Sequence, residues 1–257
     1  MLDEFSLTGR VAVVTGGARG LGAEMLDALA AAGAHVAALD LLAEDAKAVA
    51  GEIAARRGVK GYGGALDVTD AAATRAALDA VERELGPIDV FVANAGIVEH
   101  VPTEELTDDG WRRVMGVNLD GVFYGARDAG RRMLARGTGS IILVASMSGL
   151  IVNRPQPQAA YNASKAAVIQ LARSMAAEWA PRGVRVNALA PGYMLTKLTE
   201  VFFEAHPDYR EMWERDTPMG RMGDPRDLRG PVVYLASDAS AFATGTTLLV
   251  DGGFTIW

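Results

Sequence analysis

The chain predicts an α/β fold, a doubly wound parallel sheet of about seven strands in a single domain. Three observations carry this expectation. Short apolar, β-branched runs alternate with longer segments of helical periodicity along the 257 residues. The strand-like runs are nearly continuous in apolar residues, as strands covered on both faces are. Half of the residues are apolar, enough at this length to bury a substantial core.

Each element follows in order. "VAVVTG" (11–16) reads as a buried strand, and "LGAEMLDALAAAGA" (21–34) as a helix ending near Gly33. "HVAALD" (35–40) is the second strand, 43–57 a helix, and "KGYGGALDV" (60–68) the third strand. A helix over 71–85 stops at Gly86-Pro87, and "DVFVANAG" (89–96) is the fourth strand. A long helix spans 111–137, ended by Gly137, before the fifth strand "SIILVAS" (140–146). The alanine-rich helix around "AAYNASKAAV" (159–168) leads to the sixth strand, "GVRVNALAPG" (183–192). After a loop and short helical pieces, 225–236 reads as a helix and "TTLLVDGG" (246–253) as a last strand. The long irregular stretch is 193–224, which holds Tyr193, Phe202, Phe203, Tyr209 and Trp213. A loop of that length in a compact domain is functional or poorly ordered, and a lid over a substrate is the reading favoured here.

Composition narrows the function classes. Cysteine is absent, which excludes disulfides and thiolate metal sites and fits a reducing cytoplasm. His35, His100 and His206 are scattered without ligand spacing, so no metal site is expected. The net charge is −7 with no basic block, making nucleic acid and anionic membranes poor partners. No apolar run approaches the about 18 residues of a spanning helix. The opening "MLDEFSLTGR" is acidic and lacks the apolar stretch of a secretory signal.

"TGGARGLG" (15–22) lies between the first strand and the first helix. Gly16 permits a sharp turn, Gly20 lets the backbone approach a pyrophosphate, and Gly22 lets the helix pack against the sheet. The competing reading is a glycine-rich turn with no ligand; its position favours the nucleotide. Asp40 ends the second strand about 20 residues further on, where a ribose-binding acid belongs, although it could also cap the following helix. Asp67 ends the third strand and could accept a bond from an adenine amino group, or cap the helix that follows Thr69-Asp70. Arg19, beside Gly20, is the one feature that would favour a 2′-phosphate.

Tyr161 and Lys165 stand one helical turn apart on one face, either as a solvated pair or as a proton-transfer device. A free tyrosine with a pKa of about 10 is a poor base at neutral pH. A neighbouring ammonium favours the phenolate and is expected to lower that value.

Together with "ANAG" (93–96), "VN" (117–118) and "PG" (191–192), these motifs resemble the short-chain dehydrogenase/reductase family from Val11 to Gly253. The resemblance implies a Rossmann-type sheet, a nicotinamide cofactor and a catalytic set of Asn118, Ser146, Tyr161 and Lys165. The family usually places its serine thirteen residues before the tyrosine, here Ser148. "VASMSG" instead matches the strand-end pattern with Ser146 in the catalytic place, followed by a loop two residues longer than usual. Asn118 is expected to kink its helix and to hold a water linking Lys165 to solvent. The cofactor contacts so implied are Gly16, Arg19, Gly20, Leu21, Gly22, Asp40, Asp67, Val68, Asn94, Gly96, Tyr161, Lys165, Pro191, Gly192, Met194 and Thr196.

"SMSGLIVNRPQPQAAYNASKAAV" and the ending "DGGFTIW" look like polyol dehydrogenases acting on galactitol, arabinitol and related sugar alcohols. The expected activity is therefore NAD-dependent oxidation of a sugar alcohol to a ketose. Ser146, Ser148, Asn153 and Tyr161 would contact substrate, with Gln158 facing water. The alternatives are an NADPH-linked carbonyl or ketoacyl reductase and a nucleotide-binding sensor without chemistry. The resemblance further implies a cytoplasmic homotetramer and leaves open a divalent ion near the Trp257 carboxylate.

Overall fold

The computed structural model describes residues 2–256, so Trp257 and the ion question attached to it lie outside the described residues. The chain alternates strand and helix through β1 (Val11–Thr15), α1 (Gly20–Ala31), β2 (His35–Asp40), α2 (Ala43–Arg57), β3 (Gly61–Ala65) and α3 (Ala71–Leu85). It continues through β4 (Ile88–Ala93), α4 (Asp108–Met115), α5 (Gly121–Arg136), β5 (Gly139–Val144), α6 (Ala159–Trp179) and β6 (Val184–Pro191). Helices α7 (Lys197–Ala205), α8 (Pro207–Asp216) and α9 (Arg229–Ala236) precede β7 (Thr247–Val250).

The strands form one parallel sheet in the order β3-β2-β1-β4-β5-β6-β7. Side chains alternate between its faces, as the two-residue period of a strand requires. Ala12 and Val14 pack with Met25, Leu26 and Leu29 of α1, Ala50 of α2 and Val232 and Leu235 of α9. Val11 and Val13 pack instead with Leu78 of α3, Ala126 and Met133 of α5, and Val168 and Ala172 of α6. Continuous apolar strands are thus explained by burial on both sides. The strand order reverses between β1 and β4, where a crevice opens at the carboxyl ends of the strands.

Two expectations change. The helix expected over 111–137 begins at Asp108, where Thr107 caps Gly110 N at 3.0 Å, and is interrupted by a π-helical turn over Gly116–Asp120. Asn118 lies inside that turn and is fully buried, so its helix does distort there. In the stretch 193–224 the short helical pieces are two helices, α7 and α8, that take up much of what reads as irregular. A reciprocal Thr196–Thr199 capping box starts α7, and the segment's aromatics bury one another around Phe203, Trp213 and Met222. Their spacing is helical, but the apolar face serves a small satellite core rather than the sheet. Among the described residues no helix is long and apolar enough to cross a membrane, and no group of His, Cys, Asp and Glu could hold a metal ion.

Candidate active site

The glycine turn is locked from β4. Asn94 Nδ2 donates to the carbonyls of Thr15 at 3.0 Å and Gly16 at 3.1 Å, and the Thr15 hydroxyl accepts from Asn94 N and Ala95 N. A Cβ on Gly22 would lie 2.1 Å from Gly16 O, so that glycine is required by packing. Gly20 differs: its φ is +56° and a Cβ there would meet nothing within 4 Å. It faces open space at the N-terminus of α1, whose first-turn amides at Gly20, Leu21 and Gly22 have no intrahelical acceptor. Arg19, extended and exposed, precedes them without capping them. Donors without acceptors, a positive helix end and a gap kept clear by glycine fit a dinucleotide pyrophosphate.

Asp40 is partly buried, with Oδ2 accepting from Ala18 N at 3.1 Å and Oδ1 from Leu42 N at 3.1 Å. It braces the glycine turn and the exit from β2 rather than capping α2, which starts after Leu42 without a side-chain cap. Asp67 accepts from Thr69 N at 2.9 Å and Thr69 Oγ1 at 2.7 Å, and these bonds hold its carboxyl below the usual carboxylate value. The cap of α3 is Asp70, so Asp67 is spared that role. Val68 packs where α5 begins, leaving no room for a Cβ on Gly121. Gly192 N donates to Val250 O, tying Pro191-Gly192 to β7. Met194 is buried, while the Thr196 hydroxyl accepts from Thr199 N at 3.3 Å to cap α7.

Asn118, Ser146, Tyr161 and Lys165 come together beyond the ends of β4 and β5. Lys165 is buried and donates from Nζ to Val144 O at 2.9 Å. A Cβ on Gly96 would lie 3.5 Å from that Nζ and 3.4 Å from Asn118 Oδ1. Asn118 accepts from Ile97 N at 2.8 Å and donates to Ile97 O and to Ser164 Oγ, so its side chain clamps the loop after β4. Ser164, which also donates to Tyr161 O at 2.7 Å, went unread in the sequence although it adjoins Lys165; Thr15 went unread beside the glycine turn.

The electrostatics also differ from expectation. Burial pushes the Tyr161 phenol above its ordinary value, with the Ser146 hydroxyl pulling the other way. Burial lowers Lys165 to about 8. The ammonium lies 5.6 Å from the centre of the Tyr161 ring. Desolvation of both groups therefore outweighs the through-space attraction that the i,i+4 spacing suggested.

Ser146 leaves β5 and accepts from Ser148 N at 3.1 Å, with the two hydroxyls 3.1 Å apart. Both serines, Asn153, Gln156 and Gln158 are buried. Gln158 does not face water: its Nε2 approaches Asn162 Oδ1 at 2.8 Å, Asn153 Oδ1 at 3.0 Å and Ser148 Oγ at 3.4 Å. As the residue preceding α6 it folds back under the loop, a placement invisible to a local reading. Tyr193 OH accepts from Asn153 Nδ2 at 3.0 Å and from Gln156 Nε2 at 2.9 Å.

A parallel sheet that reverses order beside a glycine turn, with a phenol, an amine and a hydroxyl gathered beyond the next strand, has the architecture of a Rossmann-type oxidoreductase. Residues 16–255 match the family described as Enoyl-(Acyl carrier protein) reductase. The chain belongs to the short-chain dehydrogenase/reductase family. Galactitol 2-dehydrogenase (L-tagatose-forming) of Cereibacter sphaeroides is 46% identical over 98% of each chain. The crystal structure of gox2181 is 44% identical, with a TM-score of 0.95 over 99% of this chain and 98% of that one. A gluconate 5-dehydrogenase from Burkholderia cenocepacia, in complex with NADP and tartrate, is 39% identical, with a TM-score of 0.94 over 100% of this chain and 99% of that one.

Proposed function

We propose that the protein oxidises a secondary hydroxyl of a sugar alcohol to a ketose, with NAD. The observation that carries this reading is the buried row of neutral donors and acceptors that runs from Ser146 through Ser148 and Gln158 to Asn153. An acyl chain or steroid has nothing to exchange with such a row, whereas the hydroxyls of a polyol can extend it as both donors and acceptors. The likeness to galactitol 2-dehydrogenase supports the same class.

With its pyrophosphate held at the glycine turn, the dinucleotide would supply in its nicotinamide the acceptor for the hydride that leaves the substrate carbon. Tyr161 Oη takes the hydroxyl proton as that bond breaks, and returns it when a ketone is reduced. Ser146 donates to the substrate oxygen and stabilises charge developing on it. Lys165 fixes the far side of the site through Val144 O and would hold the nicotinamide ribose. Asn118 keeps the loop after β4 in place. Asp40 would accept from the adenosine ribose hydroxyls and repel a 2′-phosphate.

An NADPH-linked carbonyl or ketoacyl reductase is the second reading, favoured by exposed Arg19 beside the turn and by the NADP in the gluconate 5-dehydrogenase. The segment 193–224 is assigned as a substrate lid. Exposed Trp111 on α4 and Phe123 on α5 offer apolar surface for the helix pairing of a cytoplasmic homotetramer. The deciding experiment is kcat/KM for a panel of polyols, an apolar secondary alcohol and a β-ketoacyl thioester, with each cofactor. Preference for either apolar-chain substrate over every polyol overturns the assignment.

A further inference from the structure

Among the described residues, three buried side-chain polar atoms have no hydrogen-bond partner: Gln156 Oε1, Trp213 Nε1 and Thr247 Oγ1. Two of the three belong to residues that touch Tyr193. Gln156 Nε2 donates to Tyr193 OH at 2.9 Å, and the Tyr193 ring lies flat on Trp213, with centroids 3.8 Å apart and an interplanar angle of 4°. Tyr193 OH accepts from both Asn153 and Gln156, so its own proton remains to be given away. Exchanging the amide atoms of Gln156 does not remove the deficit. The phenol could then donate to the oxygen, but the nitrogen would be left without an acceptor. Buried polar groups are seldom left so, and a vacant donor beside a vacant acceptor calls for one particular kind of group.

A hydroxyl both donates and accepts, and matches that pair. We infer that Tyr193 and Gln156 form a subsite for a substrate hydroxyl remote from the reacting carbon, which accepts from Tyr193 and donates to Gln156 Oε1. The inference rests on the polyol reading above and extends it from the reacting end to the far end of the chain. The line of polar contacts is continuous: Tyr193 to Asn153, Asn153 to Gln158, Gln158 to Ser148, and Ser148 to Ser146. One end of a polyol at Ser146 and the other at Tyr193 would thus lie along a single polar wall. The Gln156 oxygen is covered in this structure, so the ligand enters as the segment carrying Tyr193 and Trp213 lifts away. Recognition and closure are then one event.

The test is the ratio of kcat/KM for a hexitol to that for butane-2,3-diol, which has no remote hydroxyl. Tyr193→Phe keeps the ring and its stack on Trp213; Gln156→Met keeps the chain length without the amide. Each is expected to lower the ratio about five- to tenfold, the loss of one neutral hydrogen bond, with dinucleotide affinity measured by fluorescence showing that the cradle persists. A ratio within about twofold of the wild type in both variants means that water or packing alone serves these atoms, and overturns the subsite while the polyol reading stands. A wild-type enzyme that prefers an apolar alcohol to every polyol removes both.

Discussion

The Lys165 ammonium sits 5.6 Å from the centre of the Tyr161 ring and is hydrogen-bonded to Val144 O at 2.9 Å. It addresses the ring and the end of β5 rather than serving as a direct partner of the phenol oxygen. Both groups are driven toward their neutral forms by burial. The pair is therefore set up around a protonated phenol, the form that donates in ketone reduction. Oxidation needs the phenolate, and any charge brought in with the dinucleotide would act on a lysine already easy to perturb.

Replacing Tyr161 with Phe removes the transferable proton and nothing bulky. Turnover is expected to fall about 10²–10⁴-fold while nucleotide affinity survives. In the wild type, oxidation is expected to rise into the alkaline range, because the raised phenol pKa keeps the base protonated at neutral pH. Steady-state rates against pH check both points; near-normal turnover in the Phe variant would take Tyr161 out of the mechanism.

Lys165 predicts a stability trend. Its folded-state value of about 8 lies below the ordinary 10.5, so between those values the unfolded chain binds more protons. Stability of the ligand-free protein should accordingly rise with pH across that window. The charge-burial cost is fully present below about 8 and is gone above 10.5. Urea unfolding of wild type and Lys165→Met at about pH 7 and about pH 10 measures it. The wild type is expected to gain on the variant as pH rises, and the opposite sign contradicts the burial of this amine.

Asp40 is tested by its charge. Asp40→Asn is nearly isosteric and loses the repulsion of a 2′-phosphate, while its single amide oxygen accepts from one of Ala18 N and Leu42 N instead of both. The NAD preference, as the ratio of kcat/KM for NAD to that for NADP, is expected to narrow about tenfold. A wild-type preference for NADP sinks the assignment, with Arg19 then the residue to examine.

Two glycines of one turn should fail differently. Gly22→Ala drives a Cβ to 2.1 Å from Gly16 O, so thermal unfolding is expected to show a loss of about 1–3 kcal/mol, the typical cost of overpacking. Gly20→Ala meets no protein atom and is strained only by its φ of +56°. Its stability cost should be about 1 kcal/mol, whereas its dinucleotide affinity should fall more sharply. Equal affinity in Gly20→Ala and wild type would mean that the ligand does not approach there.

The strands were legible because burial on both faces leaves an unbroken apolar run, and α3 because its cap, Asp70, and its stop at Gly86-Pro87 are local. The same held for the glycine turn and for the Tyr161–Lys165 spacing, both set within a few residues. Asn118 was found as a distortion point, but not the clamp it forms on Ile97, since that partner lies 21 residues away. Helices α7 and α8 were legible only as short helical pieces of an irregular stretch, because their apolar faces pack on one another instead of on the sheet. Gln158 looked like a surface residue because periodicity cannot show that the loop ahead of α6 folds over it. The order of elements, the glycine turn and the residues around Tyr161 were written in the chain by itself, through local backbone preference and hydrophobic period. The direction of the Tyr161 and Lys165 pKa shifts, and the meeting of Gln156 with Tyr193, were decided only by the tertiary structure, because desolvation and long-range hydrogen bonds depend on what the fold packs around a group and not on its neighbours in sequence.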